Sequence, residues 1–162
     1  MRHTKNNYAF IDSQNVNLGI RELGWRLDFR RFRIYLREKY HVRKAYLFLG
    51  YIPQYEKLYE SLRDSGYVLI FKEVFVGGEN PIKGNCDAEL VLRAMIDYAM
   101  YDKALVATGD GDFACLIKYL YMQNKLGHLL IPSQKVCSGF LRRAAGEKLI
   151  WMENLKDKLS YK

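Results

Sequence analysis

Four aspartates carry the chemistry this sequence offers. Asp110 and Asp112 stand one residue apart in Thr108-Gly109-Asp110-Gly111-Asp112-Phe113, Asp12 closes the apolar run Tyr8-Ala9-Phe10-Ile11, and Asp87 opens a long helical pattern. Each has an ordinary role when taken alone, as a helix cap, a turn residue or an acid stabilised by a helix dipole. Together they have another. Two carboxylates about 5 Å apart repel by about 3 kcal/mol at an effective dielectric of 20, so four in one pocket either take up protons or gather a cation. His3, His41 and His128 belong to none of these segments. All-oxygen ligands select Mg²⁺ or Mn²⁺ over Zn²⁺.

Convergence requires elements that bring the acids to one edge. Ala104-Leu105-Val106-Ala107 reads as a buried strand that Thr108-Gly109 ends, and Phe113, Leu116, Ile117, Leu120 and Tyr121 then repeat with helical spacing. Tyr8 to Ile11 is a second strand ending on an acid, with Ser13-Gln14-Asn15 turning the chain away. Residues 16–27 read as a loop or broken helix because Gly19 and Gly24 interrupt the pattern. A helix from an Asp28 cap to about Tyr40, a strand over 42–51, a helix from Pro53 to about Ser65 and a strand over 67–76 follow. Residues 77–85 read as the most loop-like segment. The helix begun by Asp87 shows two apolar stripes, one with Leu90 and Ala94 and one with Leu92, Ile96 and Ala99, which predicts packing on two sides. A strand over 126–131, a helix from about Ser138 to Ala145, a short strand at Leu149-Ile150 and a basic helix from about Met152 complete the chain. This alternation predicts an α/β fold, a mainly parallel sheet of about five strands with helices on both faces, as one domain over 1–162. In such sheets ligands bind beyond the strand carboxyl ends, where Asp12 and Asp110 stand and the helices of Asp87 and Asp112 begin.

Composition limits the partner. The 162 residues carry 26 Lys and Arg against 18 Asp and Glu, a formal charge of +8, which favours a polyanion such as nucleic acid. Nine of the basic residues fall in 21–44 against three acids, and Arg30, Arg33 and Arg37 share one side of the helix begun by Phe29. That side is either a solvated face or a phosphate-binding surface. Cys86, Cys115 and Cys137 form no CxxC pair, so neither a disulfide framework nor a zinc site is indicated, and a reducing cytoplasm is expected. No stretch approaches the roughly 18 apolar residues of a membrane span.

Two other chemistries fit poorly. A haloacid-dehalogenase-type phosphatase needs an acid where Gln14 stands, and a Rossmann dehydrogenase needs a glycine-rich turn where Ser13-Gln14-Asn15 follows the first strand.

The motifs resemble a known family. Phe10-Ile11-Asp12 with Asn15 is similar to the FIDxxN opening of NYN domains, within the PIN-like nuclease superfamily, and Lys83-Gly84-Asn85-Cys86-Asp87 to their KGxxD segment. Thr108 to Phe113 matches their (S/T)GDxDF signature, and Ser138 with Leu141 resembles their SxxL helix. LabA-like bacterial members are the nearest group. The order of the motifs across nearly the whole chain makes the likeness specific.

The resemblance implies a three-layer PIN-like fold and metal-dependent hydrolysis of RNA phosphodiester bonds. Asp12, Asp87, Asp110 and Asp112 would hold Mg²⁺ or Mn²⁺, Asn15 and Thr108 would orient ligands or phosphate, and Lys83 would join Arg30, Arg33 and Arg37 on the nucleic-acid backbone. Single-stranded or structured RNA is the expected partner. An assembly of identical chains is compatible with this, and no membrane is expected. One departure stands out: many LabA-like members carry a further Asp where this chain has Arg93. Glu89, one helical turn earlier, is the candidate to replace that acid or to pair with Arg93. A protein that keeps the fold and binds RNA or acts as a scaffold without cleaving is the alternative.

Overall fold

In the computed structural model, which describes residues 4–72 and 86–162, six strands form one sheet in the order β3-β2-β1-β4-β5-β6, every neighbouring pair parallel. The strands are β1 (Asn7–Asp12), β2 (Val42–Gly50), β3 (Tyr67–Lys72), β4 (Ala104–Ala107), β5 (Leu126–Ile131) and β6 (Leu149–Trp151). The sheet has one strand more than the five or so expected, because the short β6 pairs with β5 through Leu129, Leu130 and Ile131.

Both faces of the sheet are apolar, as a parallel sheet covered by helices requires. Along β1, Phe10 packs with Tyr46, Val106, Leu90 and Ile117 on one side, while Ala9 and Ile11 pack with Leu47, Leu105, Val16 and Phe32 on the other. The first side is covered by α4 (Asp87–Ile96), α5 (Ala114–Met122) and α6 (Gly139–Ala145). The second is covered by α1 (Ser13–Arg21), α2 (Phe29–Tyr40), α3 (Glu56–Asp64) and the short α7 (Lys156–Leu159). Asp28 caps α2 by accepting from the backbone N–H groups of Arg30 and Arg31, as its position predicted.

Three expectations are corrected here. Residues 13–21 are helical, not broken: a Cβ on Gly19 would lie 2.7 Å from Cβ of Pro132, so this glycine permits close helix packing and does not interrupt the helix. The second stripe of α4 is not packed, since Leu92 and Ile96 are 59% and 56% exposed. Arg33 does not share the exposed side of α2 with Arg30 and Arg37. It is buried, donating through Nε to the Gly66 carbonyl at 3.2 Å and through its two terminal nitrogens to those of Val42 and Arg43 at 3.1 and 3.2 Å.

The C-terminal segment turns through Met152–Leu155 before α7 and is fixed on α2. Asp28 N–H donates to the Leu159 carbonyl at 2.8 Å and Arg31 to that of Ser160 at 2.6 Å. Among the described residues no helix is long and apolar enough to cross a membrane.

Candidate active site

Chain order reverses between β1 and β4, and the carboxyl ends of those two strands open the crevice in which ligands of doubly wound sheets bind. Ile11 pairs with Ala107, so the next residues, Asp12 and Thr108, emerge side by side. The fully buried Thr108 hydroxyl donates to Oδ2 of Asp12 at 3.1 Å and accepts from the backbone N–H of Asp110, also at 3.1 Å. Asn15, in the first turn of α1, accepts the Gly109 N–H on its Oδ1 at 2.7 Å. The loop bearing the two acids is therefore tied both to the end of β1 and to the first turn of α1.

Within that loop, Asp110 caps a tight turn over Gly111–Phe113 by accepting the Asp112 N–H on Oδ1 at 2.9 Å. This points the two carboxylates into one space. Asp87, at the start of α4, completes a trio: one carboxylate oxygen from each of Asp87, Asp110 and Asp112 lies within 4.8 Å of the others. Asp12 stands beside this trio and outside it. Burial first, and then the negative charges of Asp87 and Asp110, push its carboxyl up to about 6, while the Thr108 hydrogen bond pulls the other way.

The sequence assigned Glu89 two alternative roles, and one of them is excluded by geometry. Arg93 pairs with Asp97 at 3.8 Å and lies over the Tyr46 ring, so it is not the partner of Glu89. Glu89 Oε1 instead lies 3.9 Å from Lys72 Nζ, and its Oε2 is buried with no hydrogen-bond partner among the described residues. Its charge reaches the site: burial, followed by Glu89 and Asp12, pushes the Cys86 thiol up to about 11. Both effects disfavour the Cys86 thiolate, the reactive form of the side chain. Lys72, at the end of β3, was not singled out in the sequence, since one lysine ending a strand carries no signal of its own. Lys83 lies outside the described residues.

The donor set fits a hard divalent cation. Three carboxylate oxygens within 4.8 Å repel one another by about 3 kcal/mol per pair at an effective dielectric of 20, and a cation converts that cost into attraction. The trio contains neither sulfur nor imidazole, which excludes the usual zinc ligand set and suits Mg²⁺ or Mn²⁺.

The NYN domain matches residues 8–153 of this chain, and the chain belongs to that family, a member of the PIN-like nuclease superfamily. A search of curated proteins finds no match. A crystal structure of a protein of unknown function from Vibrio parahaemolyticus RIMD 2210633 is similar to this chain with a TM-score of 0.81 and 19% identity, over 99% of each chain. That likeness concerns the fold.

Proposed function

We propose that this NYN-family protein is a ribonuclease that uses Mg²⁺ or Mn²⁺ to hydrolyse RNA phosphodiester bonds at the crevice between β1 and β4. The observation that carries the reading is the convergence of Asp87, Asp110 and Asp112, from two separate elements, on one small space. These three would hold the ion, with Asp12 beside them and Glu89 as a further acid of the site. When bound, the ion supplies charge neutralisation at the phosphodiester and a water of lowered pKa.

The remaining work falls to the chain. Thr108 fixes the Asp12 carboxylate through Oδ2, and this carboxylate, beside the trio, is the group to accept the proton that the attacking water releases. Asn15 and the Asp110 cap hold the acidic loop in one conformation, so little reorganisation is needed at the moment of reaction. The exposed Arg30, with Arg37, supplies positive charge for the phosphate backbone.

Incubation of the purified protein with end-labelled single-stranded RNA in Mn²⁺, Mg²⁺ or EDTA tests the reading. Cleavage in either metal and none in EDTA is the expected result. RNA binding without cleavage in any condition would instead support the non-catalytic alternative.

A further inference from the structure

A groove of about 510 Å³ runs between α5 and α6, and its composition is unlike that of the acidic crevice it adjoins. Lys118 and Arg143 line it together with Phe140, Tyr121 and Met122, and among the described residues no acidic one does. Glu147, beside it, is engaged by the Tyr121 hydroxyl at 2.9 Å. Phe140 is 66% exposed, an unusual position for a phenyl ring that serves no core. The Arg143 guanidinium lies 5.2 Å from the ring centre, covering part of the ring and leaving most of it to solvent.

The near end of the groove is joined to the acidic loop. Cys115 lines the groove and its thiol donates to the Asp112 carbonyl at 3.9 Å. Ser138, which caps α6 by accepting the Phe140 N–H, packs so closely on the loop that a Cβ on Gly111 would lie 2.6 Å from its hydroxyl oxygen. From Cys115 to Met122 the groove follows α5 for about 10 Å, at 1.5 Å per residue.

We propose that this groove seats the single-stranded RNA flanking the scissile bond, with Phe140 stacking on one unpaired base and Lys118 and Arg143 holding the adjoining phosphates. The proposal rests on the ribonuclease reading above. Exposed aromatic rings interleaved with cations are how sequence-tolerant single-strand surfaces are built, since every base offers a π-face. In a duplex the bases are already stacked and paired, so the ring selects unpaired strands. A protein partner would be served by the apolar side chains but would not explain the two cations and the absence of acids along the wall. The groove also begins at Ala114 and Cys115, directly after the loop that carries Asp110 and Asp112, as a path for the strand flanking the scissile bond must.

The test is fluorescence anisotropy in EDTA, where no cleavage occurs, with a labelled oligouridylate and a labelled RNA duplex of the same length. Phe140→Ala is expected to weaken oligouridylate binding about tenfold or more, Phe140→Trp to restore it and Phe140→Leu not to, with duplex binding unchanged throughout. Lys118→Gln/Arg143→Gln should lower the slope of log affinity against log salt by about 1.4. Wild-type affinity in Phe140→Ala, or full rescue by Phe140→Leu, overturns the proposal. So does a self-association in sedimentation that Phe140→Ala abolishes while RNA affinity stays constant, which would assign the groove to a second copy of the chain. Failure of the wild type to bind any RNA would remove this proposal and the ribonuclease reading together, whereas metal-dependent cleavage indifferent to Phe140 would remove this one alone.

Discussion

The Thr108 hydroxyl donates to Asp12 across two adjacent strand ends, at 3.1 Å, and with the Asn15 N–H it opposes the burial that raises the Asp12 carboxyl to about 6. The sign of the consequence follows from proton counting. Between about pH 4 and pH 6 the folded protein holds a proton on Asp12 that the unfolded chain has lost, so stability from this group declines as pH rises through that window. At pH 7 ionised Asp12 costs the fold on the order of 3 kcal/mol. Asp12→Asn should therefore melt higher than wild type at pH 7 in EDTA and alongside it at pH 4. Melting curves that differ equally at both pH values would contradict this.

A second expectation concerns Gly111. Its substitution by Ala would press a methyl group onto the Ser138 hydroxyl oxygen at 2.6 Å and its Cβ at 2.9 Å, forcing the acidic loop and α6 apart. Gly111→Ala should lower Mn²⁺ affinity and reduce stability by about 1–3 kcal/mol. Removing the obstructing side chain in Gly111→Ala/Ser138→Gly should recover much of the affinity. No recovery would mean that the methyl group acts elsewhere.

The arginines of α2 separate by burial. Arg33 satisfies three backbone carbonyls, so Arg33→Ala should cost about 2–4 kcal/mol of stability on urea denaturation, chiefly because those carbonyls lose their donors. Arg30→Glu/Arg37→Glu should leave the denaturation midpoint nearly unchanged and weaken binding of unrelated RNAs alike, most at low salt. Unchanged binding there would mark α2 as a solvated face.

Much of the fold was legible because its signals are local. Short apolar runs ended by Asp12 or by Thr108-Gly109 marked the strand ends, and parallel alternation then brought those ends to one edge. The ordered motifs identified the family before any coordinate did. What was not legible depends on partners distant in sequence. Helical periodicity groups Arg33 with Arg30 and Arg37, and only the strands that α2 covers reveal that Arg33 points at their carbonyls. Gly19 looks like a helix breaker until Pro132, far along the chain, is seen against it. The apolar spacing of Leu92 and Ile96 suggested packing, yet nothing in the described chain covers them. Glu89 was read against Arg93, its neighbour along the helix, whereas its actual ion-pair partner, Lys72, comes from the far edge of the sheet.

That pairing leads to a fourth expectation. Glu89→Gln, which removes a charge whose Oε2 has no hydrogen-bond partner among the described residues, should lower Mn²⁺ affinity by about tenfold. Arg93→Asp, by contrast, should destabilise the fold by about 2–4 kcal/mol, because Asp97 is buried and would face a second carboxylate one turn away. A stable, more tightly metal-binding Arg93→Asp protein would show that position 93 faces the acidic crevice after all.

The central claim is that Asp87, Asp110 and Asp112 hold one divalent cation between them, and calorimetric titration of Mn²⁺ into the apoprotein tests it most directly. The wild type should bind with a defined stoichiometry and a proton release that grows as pH falls toward 6, since an entering cation displaces the proton held on Asp12. Asp110→Asn/Asp112→Asn, folded as judged by its melting curve, should show no saturable heat in the same range. Equal Mn²⁺ binding by the two proteins would contradict the account.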